Sequence, residues 1–250
     1  GIRMQTAHRA ALGLALLLAA TAAHALTATE LVAKNIEAKG GGAALQSVKS
    51  LRREGRLIVN GGQYVLELRE TKQRPDSIRT EISMQGLSQV QAYDGKEGWR
   101  IDPFGGRKDP ERMPADDVKE YVEDATIDGV LADAVAAGSS IEYLGTEDID
   151  GTPAHKLKVV RKDGGLQYVY LDPDYFLEIR VESQRVVRGV KRTSVTDYGN
   201  YEKVGGVFWP LSIESGIKGA GDPAKFEYRS AVVNPEIVPG YFSFPVTVKQ

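Results

Sequence analysis

The chain contains no cysteine, so disulfides, thiolate metal sites and a lipid-modified cysteine are all excluded. Histidine is nearly as scarce. Of three in the chain, His8 and His24 fall in the first 25 residues and leave only His155. One histidine is too few for a zinc site built from His and Cys, and any serine triad would have to use it. His155 instead reads as a strand residue satisfied by a neighbour. No Gly-x-Ser-x-Gly elbow occurs, since Gly86-Leu87-Ser88 continues into Gln89-Val90. Gly95-Lys96 lacks the flanking residues of a phosphate loop, and Asp148-x-Asp150-Gly151 lacks the third acid and distal glutamate of a calcium loop. Both read as turns. Asp116-Asp117 fits a helix N-terminus, where the dipole favours acids without catalysis. The expectation is a non-enzyme with no metal and no cofactor.

Long apolar runs are also missing beyond the N-terminus. Arg9 precedes an apolar stretch from Ala10 to Ala20, broken only by Gly13, and Ala23-His24-Ala25 has the small-x-small form of a cleavage site. Residues 1–25 therefore read as a secretory signal peptide, too short to span a bilayer, and 26–250 as one exported domain without a lipid anchor. The leader carries Arg3 and Arg9 and no acid, so 30 of the 32 basic and all 34 acidic residues remain, net −4. These charges are interspersed. Nucleic-acid binding needs a basic stripe, and none is present.

What the chain does have is alternation. Tyr64, Leu66 and Leu68 oppose Val65, Glu67 and Arg69. Ile78, Ile82 and Met84 oppose Arg79, Glu81 and Ser83, and Leu177, Ile179 and Val181 oppose Glu178, Arg180 and Glu182. Period two marks strands with one wet face and one covered face. Strands are expected at 51–59, 63–72, 77–84, 87–94 and 97–101, then from Ser140 almost to the end, with Asp102 to Met113 as a loop. Arg52, Glu54 and Arg56 with Lys225, Glu227 and Arg229 read as outward faces paired by charge. Helices are expected over 27–48, where Thr27-x-x-Glu30 is a capping box, and over 114–137, where apolar residues recur every three or four. A large one-sided sheet with little helix to cover it implies an apolar hollow. By parity its lining is Leu57, Leu66, Leu68, Ile82, Met84, Trp99, Leu157, Val159, Tyr168, Tyr170, Ile179 and Trp209. Val118, Tyr121, Val122, Val130 and Leu131 form the apolar stripe of a lid, weakened by Gly129 and Gly138.

The order of short motifs is informative. Glu37-Ala38-Lys39-Gly40-Gly41 leads to Val48-Lys49-Ser50-Leu51, then Tyr93-Asp94-Gly95-Lys96-Glu97-Gly98-Trp99 and Gly145-Thr146-Glu147-Asp148-Ile149-Asp150-Gly151. Asp197-Tyr198, Gly205-Gly206-Val207-Phe208-Trp209-Pro210, Asn234 and Phe242-Ser243-Phe244-Pro245 follow. Over essentially the whole exported chain this set resembles the outer membrane lipoprotein-sorting group, relatives of the periplasmic carrier LolA. The resemblance implies a mainly β fold with α: one curved antiparallel sheet, an unclosed β-barrel, with helices on its concave face. It implies a periplasmic carrier that shuttles acyl chains of a lipid or lipoprotein toward the outer membrane. An inner-membrane transporter and an outer-membrane acceptor would be its partners. The alternative is a regulatory or scaffold module that binds a protein, or senses lipid, with the same face. An arginine helps to close the lid in that group; Arg52, Arg53 and Arg56 all fall in the first strand, and the motifs do not select among them.

Overall fold

The computed structural model describes residues 24–246, so all but the last two residues of the expected signal peptide lie outside it. Two helices come first, α1 (Ala28–Lys39) and α2 (Gly42–Ser47). Thr27 caps α1 by accepting the Glu30 amide, and Gly40, at φ 132, ends it. Six strands follow as hairpins: β1 (Ser50–Val59), β2 (Tyr64–Gln73), β3 (Ser77–Met84), β4 (Leu87–Tyr93), β5 (Gly98–Asp102) and β6 (Arg107–Arg112). An insert carries α3 (Ala115–Val122) and α4 (Val130–Ala136), joined by a single 3-10 turn at Glu123–Ala125. Seven more strands complete the chain: β7 (Ser140–Ile149), β8 (Thr152–Val160), β9 (Leu166–Leu171), β10 (Glu178–Val187), β11 (Val190–Val204), β12 (Val207–Ile217) and β13 (Ala224–Val233).

Among the described residues all thirteen strands form one antiparallel sheet, ordered β6-β5-β4-β3-β2-β1-β13-β12-β11-β10-β9-β8-β7. The two edges, β6 and β7, do not pair, so the sheet is curved but not closed. The expected loop at Asp102 to Met113 is corrected here. Arg107–Arg112 is an edge strand, and an edge tolerates Pro110 because its missing donor breaks no internal ladder.

Alternation assigns the faces. In register, Leu57 sits opposite Leu66, and Leu68 opposite Ile82, on the concave face. Leu57 and Leu68 join Leu45, Val48, Leu51, Val207, Trp209 and Leu211 in one core cluster. A second cluster packs Leu31 and Val32 of α1 and Leu131 of α4 on Leu157, Val159, Val169 and Val181. The outward charges pair as expected, Arg56 with Glu227 at 2.8 Å and Arg69 with Glu54 at 3.1 Å.

The convex face is not uniformly wet. Arg52, Thr71, Arg79, Ala92 and Trp99 lie opposite one another in a row across β1 to β5. The segment after β13 runs over this row as a strap. Asn234 pins its start, accepting the Lys49 amide at 2.6 Å and donating to Ser47 O at 3.1 Å. Tyr241 stacks under the Arg79 guanidinium, and Phe242 O accepts the Trp99 indole N–H at 2.9 Å. Trp99 is therefore buried under the strap, with Phe244 edge-on at 6.3 Å, and not in the hollow. Because Phe242 is buried, Phe242→Ala should cost about 3–5 kcal/mol of stability. Val246→Ala, at an exposed position, should change stability by less than about 0.5 kcal/mol. Urea unfolding of both variants checks this, and a loss below 1 kcal/mol for Phe242→Ala would show that the strap does not cover Trp99.

Candidate functional site

A partly open cavity of about 230 Å³ lies on the concave face. Its walls come from β9 (Gln167) around to β2 (Glu70), seven neighbouring strands in the sheet order. In a flat sheet the outer two would stand roughly 29 Å apart at about 4.8 Å per strand. That both meet one small cavity measures how strongly the sheet curves. The floor is apolar, formed by Leu45, Leu51, Val207, Trp209, Ile213 and Phe226. The α3–α4 connection forms the roof. A second cavity of about 220 Å³ lies on the other side of that connection, and Glu123, Thr126, Ile127, Val130 and Gln167 line both. The insert is thus a plug between two hollows.

The rest of the lining is charged, which the apolar parity of the strands did not anticipate. Arg53 is the one arginine of β1's three that faces inward, and it is buried. It pairs with Glu70 at 2.7 Å, donates to Pro210 O at 2.8 Å and lies 4.3 Å from the Tyr228 ring. Burial pushes the Glu70 carboxyl up, but Lys72 and then Arg53 outweigh it and hold the group below its ordinary value. Lys72 passes the chain of contacts to the plug, donating to Thr126 O at 3.0 Å. Lys39 of α1 pairs with Glu178 and donates to Asp128 O at 2.8 Å. Gly129, at φ 99, holds a backbone conformation that a side chain would strain, and a Cβ there would crowd the Lys39–Glu178 pair. Arg74 grips the Asp128 carboxylate with both amino nitrogens while donating to Leu45 O of α2 and to Val48 O just after it. Arg161 and Arg185 both pair with Glu123. The signal for these residues was in the sequence: Glu70 and Lys72 continue the inward row of Leu66 and Leu68.

The expected lining divides. Of its twelve residues Trp209 lines the first cavity and Val159 the second; Leu57, Leu66, Leu68 and Ile82 pack beside Trp209 in the same cluster, and Leu157 lies with Val159 under α1 and α4. Met84 shares the concave row of Ile82 near the strand end and stays half-buried. Three expectations besides Trp99 are corrected. Tyr168 and Tyr170 lie opposite Lys158 and Lys156 on the convex face, where the Lys156 ammonium sits over both rings. A bulge between Glu178 and Arg180 turns Glu178 into the cavity, so Ile179 belongs to neither the lining nor a core cluster. Of the lid stripe, Tyr121 packs on Ile78 and bonds Thr80 at 2.8 Å, Leu131 and Val130 join the second cluster, and Val122 lines the second cavity. Val118 lies against Gly98. His155 shares a hydrogen bond with Tyr143 at 2.7 Å and stacks on Phe176, which satisfies it structurally. Among the described residues no group of acids, histidines or cysteines is arranged to hold a metal ion, and no helix is long and apolar enough to cross a membrane.

No family model matches the chain, and no curated protein matches it at a significant level. Solved structures do match. A LolA superfamily protein from Nitrosomonas europaea superposes with a TM-score of 0.57 at 15% identity, over 88% of this chain and 98% of that one. An outer membrane lipoprotein-sorting protein domain from Vibrio parahaemolyticus gives 0.57 at 12% identity, over 86% and 95%. A DUF1329 family protein from Desulfovibrio piger gives 0.59 at 12% identity, over 86% and 97%. The likeness is one of fold: this chain shares with these structures a single antiparallel sheet left unclosed.

Asp124 is the exception among the plug's acids at the cavity. Glu120 and Glu123 each have a cationic partner; Asp124, among the described residues, has none. Its side chain lines the cavity and stays open to solvent. The crowded cavity wall, then Glu70, Glu123 and Glu120 against the pull of Lys72, push its pKa up, and solvent access limits the shift. The folded protein therefore binds a proton that the unfolded chain releases at ordinary carboxylate pH, so this group costs stability as pH rises above that range. Asp124→Asn should raise the melting temperature at pH 8, and the gain should shrink to nothing by about pH 4. A difference that does not change with pH would show that Asp124 ionises normally.

Proposed function

We propose that the protein is a periplasmic carrier that takes acyl chains of a lipid or lipoprotein into the concave hollow and shuttles them toward the outer membrane. The observation that carries this reading is the plug: one segment, seated by ion pairs and by the apolar contacts of Tyr121, Ile127 and Leu131, that lies between two cavities. Each cavity in the closed state is smaller than the roughly 300–1,000 Å³ of pockets for drug-sized ligands. Withdrawal of Glu123 to Val130 would merge them. Ile127, Val130 and Leu131 would leave apolar surface that an acyl chain can cover in their place.

Energetics favour such an exchange over simple insertion. Each methylene exposed to water costs about 0.8 kcal/mol, so a long chain cannot cross an aqueous space unprotected. A hollow that bound it far better than a bilayer would never release it. Swapping the plug's own side chains for cargo keeps the net change small. Of the structures that share the architecture, one is a LolA superfamily protein and another an outer membrane lipoprotein-sorting protein domain, which supports the cargo class proposed here.

A tethered plug tests the reading. A Cβ on Gly98 would stand 2.8 Å from Val118 Cγ2, so Gly98→Cys with Val118→Cys can bridge β5 to α3 in a background with no other cysteine. Oxidation should abolish uptake of a fluorescent fatty-acyl probe, and reduction should restore it. Equal uptake by the oxidised and reduced forms would exclude α3 as the moving element.

A further inference from the structure

The β10–β11 hairpin runs past both of its neighbours. β9 pairs with β10 only to Gln184, and β12 with β11 only from Ser194, while β10 and β11 stay paired to Val187 and Val190. Residues 185–193 therefore stand out from the sheet as a two-stranded ribbon. Arg188 and Gly189 close it, both at positive φ, as a two-residue hairpin turn requires. From Ser183 to Thr196 the chain has four cations, Arg185, Arg188, Lys191 and Arg192, and no acid. Val186 and Val190 are 71% and 67% exposed, high for β-branched side chains in a strand.

The cations differ in what they meet. Arg185 and Arg192 lie opposite each other and turn toward α3, Arg185 pairing with Glu123 and Arg192 lying 3.4 Å from Glu120. Arg188 and Lys191 have no ion-pair partner among the described residues. Aliphatic tips flanked by unpaired charge of one sign match a surface that is anionic at its face and apolar beneath. The ribbon carries no aromatic anchor of the kind that dominates protein interfaces. A laterally mobile array of lipid phosphates satisfies it without a complementary shape.

We propose that this hairpin docks the protein on the surface of an anionic lipid bilayer, with Val186 and Val190 entering the headgroup region and Arg188 and Lys191 meeting lipid phosphates. The docking surface stands on the hairpin alone. A consequence for the hollow rests on the carrier reading above. Ser183 and Ser194, at the ribbon's root, line the cavity. Docking brings that rim to the membrane, and lipid phosphates compete with Glu120 and Glu123 for Arg192 and Arg185, loosening the plug where cargo is exchanged.

Co-sedimentation of the full chain with vesicles tests the docking. Binding to vesicles that contain phosphatidylglycerol, and little to phosphatidylcholine alone, is expected. Each cation near an anionic surface is worth roughly fivefold in affinity, so Arg188→Glu with Lys191→Glu should weaken binding by more than tenfold. Val186→Ser with Val190→Ser should weaken it too, while leaving its salt dependence unchanged. Both pairs are exposed, and an unchanged melting temperature confirms the fold. Equal sedimentation of wild type and the charge-reversed variant overturns the proposal, as does failure of the wild type to bind anionic vesicles. Neither vesicle outcome bears on acyl-probe uptake, so this surface and the carrier reading can fail separately.

Discussion

A guanidinium placed on the concave face of a sheet cannot be left without partners, and the groups that satisfy Arg53 also set the shape of the hollow. Its contacts reach β2 through Glu70, β12 through Pro210 O and β13 through the Tyr228 ring. β2 and β13 flank β1 directly and β12 lies one strand further, so this one side chain ties four consecutive strands together across the concave face. Removing one member of a buried pair strands the other, at a cost of about 3–5 kcal/mol. The charge network therefore holds four consecutive strands together on the concave face. The hollow that results has a greasy floor with a charged wall, a form suited to an amphiphile and not to a wholly apolar ligand.

The same network explains how the plug can be both ordered and removable. The insert holds Asp116, Asp117, Glu120, Glu123, Asp124, Asp128 and Asp133 against a single base, Lys119. Facing it are Arg100, Arg192, Arg185, Arg161 and Arg74, contributed by the sheet and its turns. Complementary charge seats the segment in one register, beside the buried contacts of Tyr121, Ile127, Leu131 and Ala134. The charged contacts are regained in water or at a charged surface when the segment lifts, whereas a segment held only by buried leucines would have no comparable compensation.

Period-two alternation made the first five strands legible to within a residue or so, and glycine and aspartate marked most of the turns. The concave row of Leu57, Leu66, Leu68 and Ile82 followed from the same rule. Alternation could not say which face of a given strand would be covered or by what. Trp99 shares its parity with a row that the C-terminal strap buries from outside, and no local pattern ties Phe242 to a strand 143 residues earlier. Tyr168 and Tyr170 are amphipathic, so their aromatic bodies lie under Lys156 on the convex face while counting as apolar in a pattern. The bulge at Glu178 shifts parity in mid-strand without any sequence mark. The buried ion pairs were hidden by the expectation that inward means apolar, which strands with a functional concave face need not obey.

The central claim is that the plug is a separately opening unit latched by charge, and amide hydrogen exchange resolved along the chain tests it most directly. The amides of α3, the 123–129 turn and α4 should exchange through an opening well below the global unfolding free energy that β1 and β13 report. Asp128→Asn, which removes the Arg74 latch, should accelerate exchange in that segment and leave β1 and β13 unchanged. If the plug exchanges only together with β1 and β13, in the wild type and the variant alike, it is part of the core and the account is wrong.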